Sequence, residues 1–277
     1  MKRLLVAVLA VSAFAACKKA DDATGDDDGS GMQQPDATIP TMTTDITADV
    51  TSDTTWTGLV KVHKAITIAA GVTLTVDPGT VIQMDPTAAF TVLGTVDVNG
   101  AKGNVVTIGP GTTSRYWGNW NMASGAVNMT YVESKGGGFE ISGTGKLMVR
   151  DSEFSQHSHD LLVLSGGEVD MQYSWIGVPE GQTDTTHCDI HVEGGNPMVT
   201  VSHTHLSTSA YGIMFYTGQG VNLTYNNWFS NQTDMDKPGS NTIGDVSFGW
   251  FKAGNPTFTN LTANSMATGM VADAGPR

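Results

Sequence analysis

The chain has 277 residues and a formal net charge of −13 at pH 7, with 15% of residues charged and 33 glycines. So acidic a chain offers little with which to neutralise phosphates, which excludes nucleic acid and anionic headgroups as partners of its body. Low charge with abundant Gly, Thr, Val and Asn favours strands and turns over helices, at a length sufficient for one large domain with a sizeable core.

At the N-terminus, Lys2 and Arg3 precede an apolar run from Leu4 to Phe14 and then Ala15-Ala16-Cys17. A basic start, a short apolar segment and small residues before a cut describe an export signal, too short to span a bilayer as a mature helix. The junction resembles the lipobox of bacterial lipoproteins, with Phe14 standing where leucine is usual. That resemblance implies removal of residues 1–16 and lipidation of Cys17, so that the membrane is a partner through a lipid anchor. Lys18, directly after the cysteine, resembles the outer-membrane sorting pattern; whether the domain faces the periplasm or the cell surface stays open.

Residues 17–45 then read as a tether. Asp21, Asp22, Asp26, Asp27 and Asp28 lie among Gly, Ser, Thr, Gln and Pro, with almost nothing apolar to offset the entropy of ordering. The acidic run is a solvated leash rather than a cation site, since no fixed loop geometry accompanies it. With Cys17 lipidated, Cys188 has no intrachain partner and no disulfide is expected.

From residue 46 to 277 the pattern changes. Short alternating runs such as Ile66-Thr67-Ile68, Val72-Thr73-Leu74-Thr75-Val76, Val96-Asp97-Val98 and Val105-Val106-Thr107-Ile108 are separated by Gly, Pro and Asn, with the period of two that marks strands. Gly71 to Ile82, followed by Leu93 to Gly100, resembles the opening turns of right-handed parallel β-helix proteins of the pectate-lyase-like group. Trp117-Gly118-Asn119-Trp120 sits where such proteins often carry a tryptophan. The resemblance covers about residues 56 to 262 and implies a fold, all-β and solenoidal, while leaving activity open.

Internal repetition supports a solenoid independently. The segments Met148–Phe154, Asp170–Ile176, Thr200–Leu206 and Asn222–Trp228 superpose, with an earlier copy at Asn128–Glu133, and second apolar runs followed by glycines lie between them. One column of the superposition, Met129, Val149, Met171, Val201 and Leu223, is expected to be core. Two residues further on lies a mixed column, Tyr131, Asp151, Tyr173, His203 and Tyr225, which the sequence leaves open between an interior edge and an outer surface.

Candidate chemistry follows from the later coils. Six of the seven histidines lie between His157 and His205. His159 and His187 are placed to stack at equivalent positions of adjacent coils, and with Cys188, His203 and His205 they are the candidate ligands for zinc or copper, though no tight ligand spacing supports a metal site. Asp160 and Asp189 are candidates for an acid and base pair across coils. Arg115, Lys135, Lys146, Arg150, Lys237 and Lys252 are the available bases, and none sits in a stretch resembling a lyase signature. Tyr173, Trp175, Tyr225, Asn227 and Trp228 are the candidate ligand-binding residues, since aromatic planes and amides suit sugars. The sequence therefore points to a non-enzymatic envelope lipoprotein binding polysaccharide or another envelope protein, with no cofactor implied and no residue assigned to catalysis. A carbohydrate-active enzyme of the pectate-lyase-like fold is the second reading and a metal-handling envelope protein the third.

Overall fold

A computed structural model describes residues 42–157, 159–178, 187–216, 219–231, 240–243, 246–251, 257–264 and 270–277. The export segment, Cys17 and the tether up to residue 41 lie outside the described residues. No helix occurs among the residues described. The chain winds as a parallel β-helix of about seven turns, the fold expected from the repeats. Each coil has three short strands; from Ala126–Thr130 on, one or two residues join the first strand to the second, while the connection from second to third varies in length.

The first strand of successive coils runs Thr54–Trp56, Thr73–Val76, Thr95–Asn99, Ala126–Thr130, Lys146–Arg150, Glu168–Gln172 and Met198–Ser202. Each pairs in parallel with its equivalents in the coils before and after. The second strands run from Leu59–Val62 to His205–Ser207, and the third from Ala65–Ile68 to Ile213–Phe215. First and second faces belong to a 17-stranded sheet among the described residues, and the third to a nine-stranded one. Gln219–Phe229 then spans the first and second faces in one run, and Val246–Phe251 continues the third. At the other end Thr43–Ile46 pairs with Leu59–Val62, so strand structure begins at Thr43, inside the segment 17–45 expected as tether.

Alternation explains why these runs become strands. In Leu59–Val62, Thr73–Val76 and Val81–Met84 every second side chain is buried and the others are partly solvated. Inward positions stack down the coil axis: Val76, Val98, Met129, Val149, Met171, Val201 and Leu223 are in register and each is at most 1% exposed. The core column read from the sequence is thus the core column of the solenoid. Aromatic rings fill part of the interior, where Phe90, Trp120 and Phe139 occupy one register position and Trp120 stacks on Phe90 at 4.1 Å. Trp117 is wedged nearby, and a side chain at Gly137 would meet its indole at 2.2 Å, so only glycine fits there.

The first bend settles the question left open by the mixed column. Tyr131, Asp151, Tyr173, His203 and Tyr225 all adopt left-handed backbone geometry, with φ between 49° and 57°. This turns the chain sharply at one residue and directs that residue's side chain outward. The next residue turns inward, and there the sequence carries Ser152, Ser174, Thr204 and Asn226, each at most 1% exposed. They form a ladder. Ser152 Oγ accepts the N–H of Val132, Ser174 Oγ that of Ser152, Thr204 Oγ1 that of Ser174, and Asn226 Oδ1 that of Thr204. Backbone donors that a bend takes out of the sheet are satisfied by the coil that follows.

Candidate functional site

Two outward features of the later coils carry the residues singled out from the sequence. The first is a groove of about 450 Å³ on the third face. Its lining comes from strands and preceding turns of the third to sixth coils: Asn119, Glu140, Ser142, His159, Asp160, Val163, Ser165, His187, His191 and Glu193. Glu140, Val163 and His191 are register partners on Phe139–Ile141, Leu162–Leu164 and Ile190–Val192, the outward position between two buried ones. Asn119 Nδ2 donates to Glu140 Oε1 at 2.7 Å.

His159 and His187 do occupy adjacent rungs, with ring centroids 5.1 Å apart and planes nearly perpendicular. Asp160 sits beside them with only 14% of its side chain exposed. It accepts the backbone N–H of Cys188 at 2.5 Å and pairs with His191 Nδ1 at 2.7 Å, while His187 Nδ1 lies 4.0 Å away. Burial alone would raise the Asp160 carboxyl; the bonds from His191 and from Cys188 N–H outweigh it and hold the group below its usual range. His191 packs its ring edge-on to Tyr216 at 4.8 Å and is 8% exposed.

Asp189 does not join Asp160 in the groove. It is fully buried on the inner side of the turn, beside the Ser209 hydroxyl, which donates to Tyr211 O at 2.8 Å. Burial, reinforced by the nearby Asp160 charge and only partly opposed by Ser209, pushes it well above the ordinary carboxylate range. Cys188 is buried as well, free of any disulfide, and its thiol is pushed far up by burial and by Asp160. A protonated buried thiol is neither nucleophile nor metal ligand.

His203 and His205 lie elsewhere, on the first bend and the second face. His203 stacks between Tyr173 and Tyr225 at 4.8 and 5.1 Å, and His205 lies between Trp175 and Phe229. Among the described residues no three His, Cys, Asp or Glu side chains are grouped to hold a metal ion, so the four candidate histidines form two separate pairs rather than one centre.

This bend is the second feature, and it divides the candidate ligand-binding residues. Tyr225 is 53% exposed and Tyr173 and Trp175 are half-buried. Trp228 is a core residue at 1% exposure, with no surface to present to a ligand. Asn227 is also buried, its amide donating to Val271 O at 2.9 Å and accepting from Val271 N at 2.7 Å. Both faces of the Asn227 amide are therefore engaged by the chain itself. Of the bases, Lys146 pairs with Glu168 and Arg150 with Asp170 on the first face, while Lys237 and Lys252 lie outside the described residues.

Sequence reasoning missed Asn119, Glu140 and Glu193, which complete the groove, and Arg277, which lies against Asp151. Glu140 was signalled by its place as the polar residue between buried Phe139 and Ile141. No known protein family, curated protein or solved structure matches the chain.

Proposed function

We propose that the protein is a non-enzymatic cell-envelope lipoprotein, anchored at Cys17, whose β-helix binds a neutral glycan in the groove on its third face. The observation that carries this reading is the lining. An amide, two serine hydroxyls, carboxylates and imidazoles surround a volume in the range of small-ligand sites, offering the donors and acceptors that sugar hydroxyls need. Glu140, Asp160 and Glu193 disfavour an acidic polysaccharide by like-charge repulsion. Binding without turnover is supported by the state of the acids: Asp160 is held ionised by two donors, and Asp189 is sealed inside the coil.

The purified protein, immobilised and challenged with neutral and acidic polysaccharides, should retain a neutral one and release no new reducing or unsaturated ends. Glu140→Ala and His187→Ala should each weaken retention about tenfold, the loss of one or two well-placed hydrogen bonds. Retention indifferent to both substitutions refutes the groove as the site. The enzyme reading is favoured by one observation, the Asp160–His191 bond, which orients an imidazole as a general base is oriented. Sustained cleavage lost in both Asp160→Asn and His191→Ala would establish that reading instead.

A further inference from the structure

The outer side of the first bend carries rings in two rows. Tyr173, His203 and Tyr225 form one; two residues after the first two come Trp175 and His205, and with Phe229, four residues after Tyr225, they form the other. Along this ridge runs the segment 270–277. Val271 exchanges two hydrogen bonds with the Asn227 amide, and Gly275 N donates to His203 O at 2.8 Å. Arg277 then reaches Asp151 with Nε at 2.8 Å and Nη2 at 3.0 Å, its guanidinium 3.6 Å above the Tyr173 ring. From Asn227 past His203 and Tyr173 to Asp151 the segment crosses three coil steps, about 14 Å, which requires an extended peptide.

The ridge reads this peptide at defined positions. Asn227 grips backbone at Val271, as a neighbouring strand would. A side chain at Gly275 would come within 2.8 Å of His205 Nε2, and φ there is +98°, so the position demands glycine. Asp151 is 7% exposed and beside an aromatic face, a socket that takes a guanidinium bidentately and stacks it.

We propose that this ridge is a peptide-binding site for an extended segment carrying glycine two residues before arginine, presented by a partner protein, and that the chain's own tail is its displaceable resident. The site is preformed, because its rings sit on paired strands and Asp151 is fixed by its bend, with its N–H bonded to Gln172 O. The resident keeps much of its surface in solvent. Met270, Ala272, Asp273 and Arg277 are exposed, and Gly275 alone is buried. Release of Arg277 leaves the Asp151 carboxylate beside the Tyr173 ring, a pair of groups that suits another guanidinium.

The test uses the full-length chain and a fluorescein-labelled peptide reproducing residues 270–277, followed by anisotropy. In the Arg277→Ala variant the resident is weakened, and the peptide should bind about tenfold or more tightly than to the unaltered protein, where it competes with a tethered ligand. Adding Asp151→Asn should abolish binding, with circular dichroism checking the fold. Independently of any change in the protein, peptides with alanine at the Gly275 or Arg277 position should fail to bind Arg277→Ala protein. No binding to that variant, or binding by the alanine peptides, overturns the site. Equal binding to both proteins overturns the tail as its resident.

Discussion

Replacing Ser174 by alanine isolates the contribution of the polar ladder inside the first bend. Ser174 is fully buried; its Oγ accepts the Ser152 N–H at 3.3 Å and donates to Gln172 O at 2.9 Å. Gln172 O keeps a second donor, the Asp151 N–H at 3.2 Å, so it loses little. Ser152 N–H has no such reserve. It is left unsatisfied where water does not reach, a loss of about 1–3 kcal/mol. For a domain of this size about 2 kcal/mol lowers Tm by roughly 4–8 °C. Urea unfolding followed by far-ultraviolet circular dichroism measures the change, and amide hydrogen exchange should show Ser152 losing protection before its neighbours. Ser174→Thr keeps the hydroxyl in the form the next coil uses at Thr204 and should cost under about 0.5 kcal/mol. An alanine variant with an unchanged urea midpoint and unchanged exchange at Ser152 would refute the ladder as a stabilising device.

Met171→Asp introduces an unpaired charge at a core position that is 0% exposed, at a cost of several kcal/mol; insoluble or protease-sensitive protein is expected, and a resistant variant would contradict the register. Asp189→Asn tests the buried acid. Because its folded pKa is raised above the unfolded value, the folded state binds the proton more tightly, so the wild type loses stability as pH rises above about 4. The asparagine variant should match wild type below about pH 4 and exceed it increasingly toward pH 7, read as urea midpoints at the two values; a constant difference would show that ionisation is not the cause. Cys17→Ser should abolish lipid attachment and move the protein from the membrane to the soluble fraction, as read by mass and fractionation.

The fold was legible because a solenoid writes its geometry repeatedly. Met129, Val149, Met171, Val201 and Leu223 recur at coil spacing with apolar side chains, and one period-two rule assigns all of them inward. The bend column resisted because Tyr, Asp and His at one position share no polarity, and what they do share, a left-handed backbone, is a property of φ rather than of side-chain chemistry. The His159 and His187 pairing was legible once their shared column was found. Asp160 and Asp189 look equivalent in sequence, each following a histidine motif, yet Asp160 lies level with Cys188 and turns into the groove, while Asp189 falls one position later, where Leu161 fills the core in the coil before. A one-residue offset in a strand-like segment reverses the face, and residue type alone does not reveal the offset.

That same one-residue alternation places stability and recognition in adjacent positions. At the first bends from Asp151 onward the left-handed residue points out and its successor points in: Asp151 beside Ser152, Tyr173 beside Ser174, His203 beside Thr204, Tyr225 beside Asn226. The inner residue closes the hydrogen bond of the previous coil, so its identity is limited to side chains with an acceptor of suitable reach. The outer residue faces a stack whose spacing the backbone already fixes, so its identity is free to follow a ligand. Substitutions in the outer column should therefore change what docks on the ridge while leaving the urea midpoint nearly unmoved, and substitutions in the inner column should do the reverse. Tyr225→Ala and Ser174→Ala, measured side by side for peptide anisotropy in the Arg277→Ala background and for unfolding, put the separation to a direct test; coupled losses in both assays from either change would show that the ridge and the ladder form one unit.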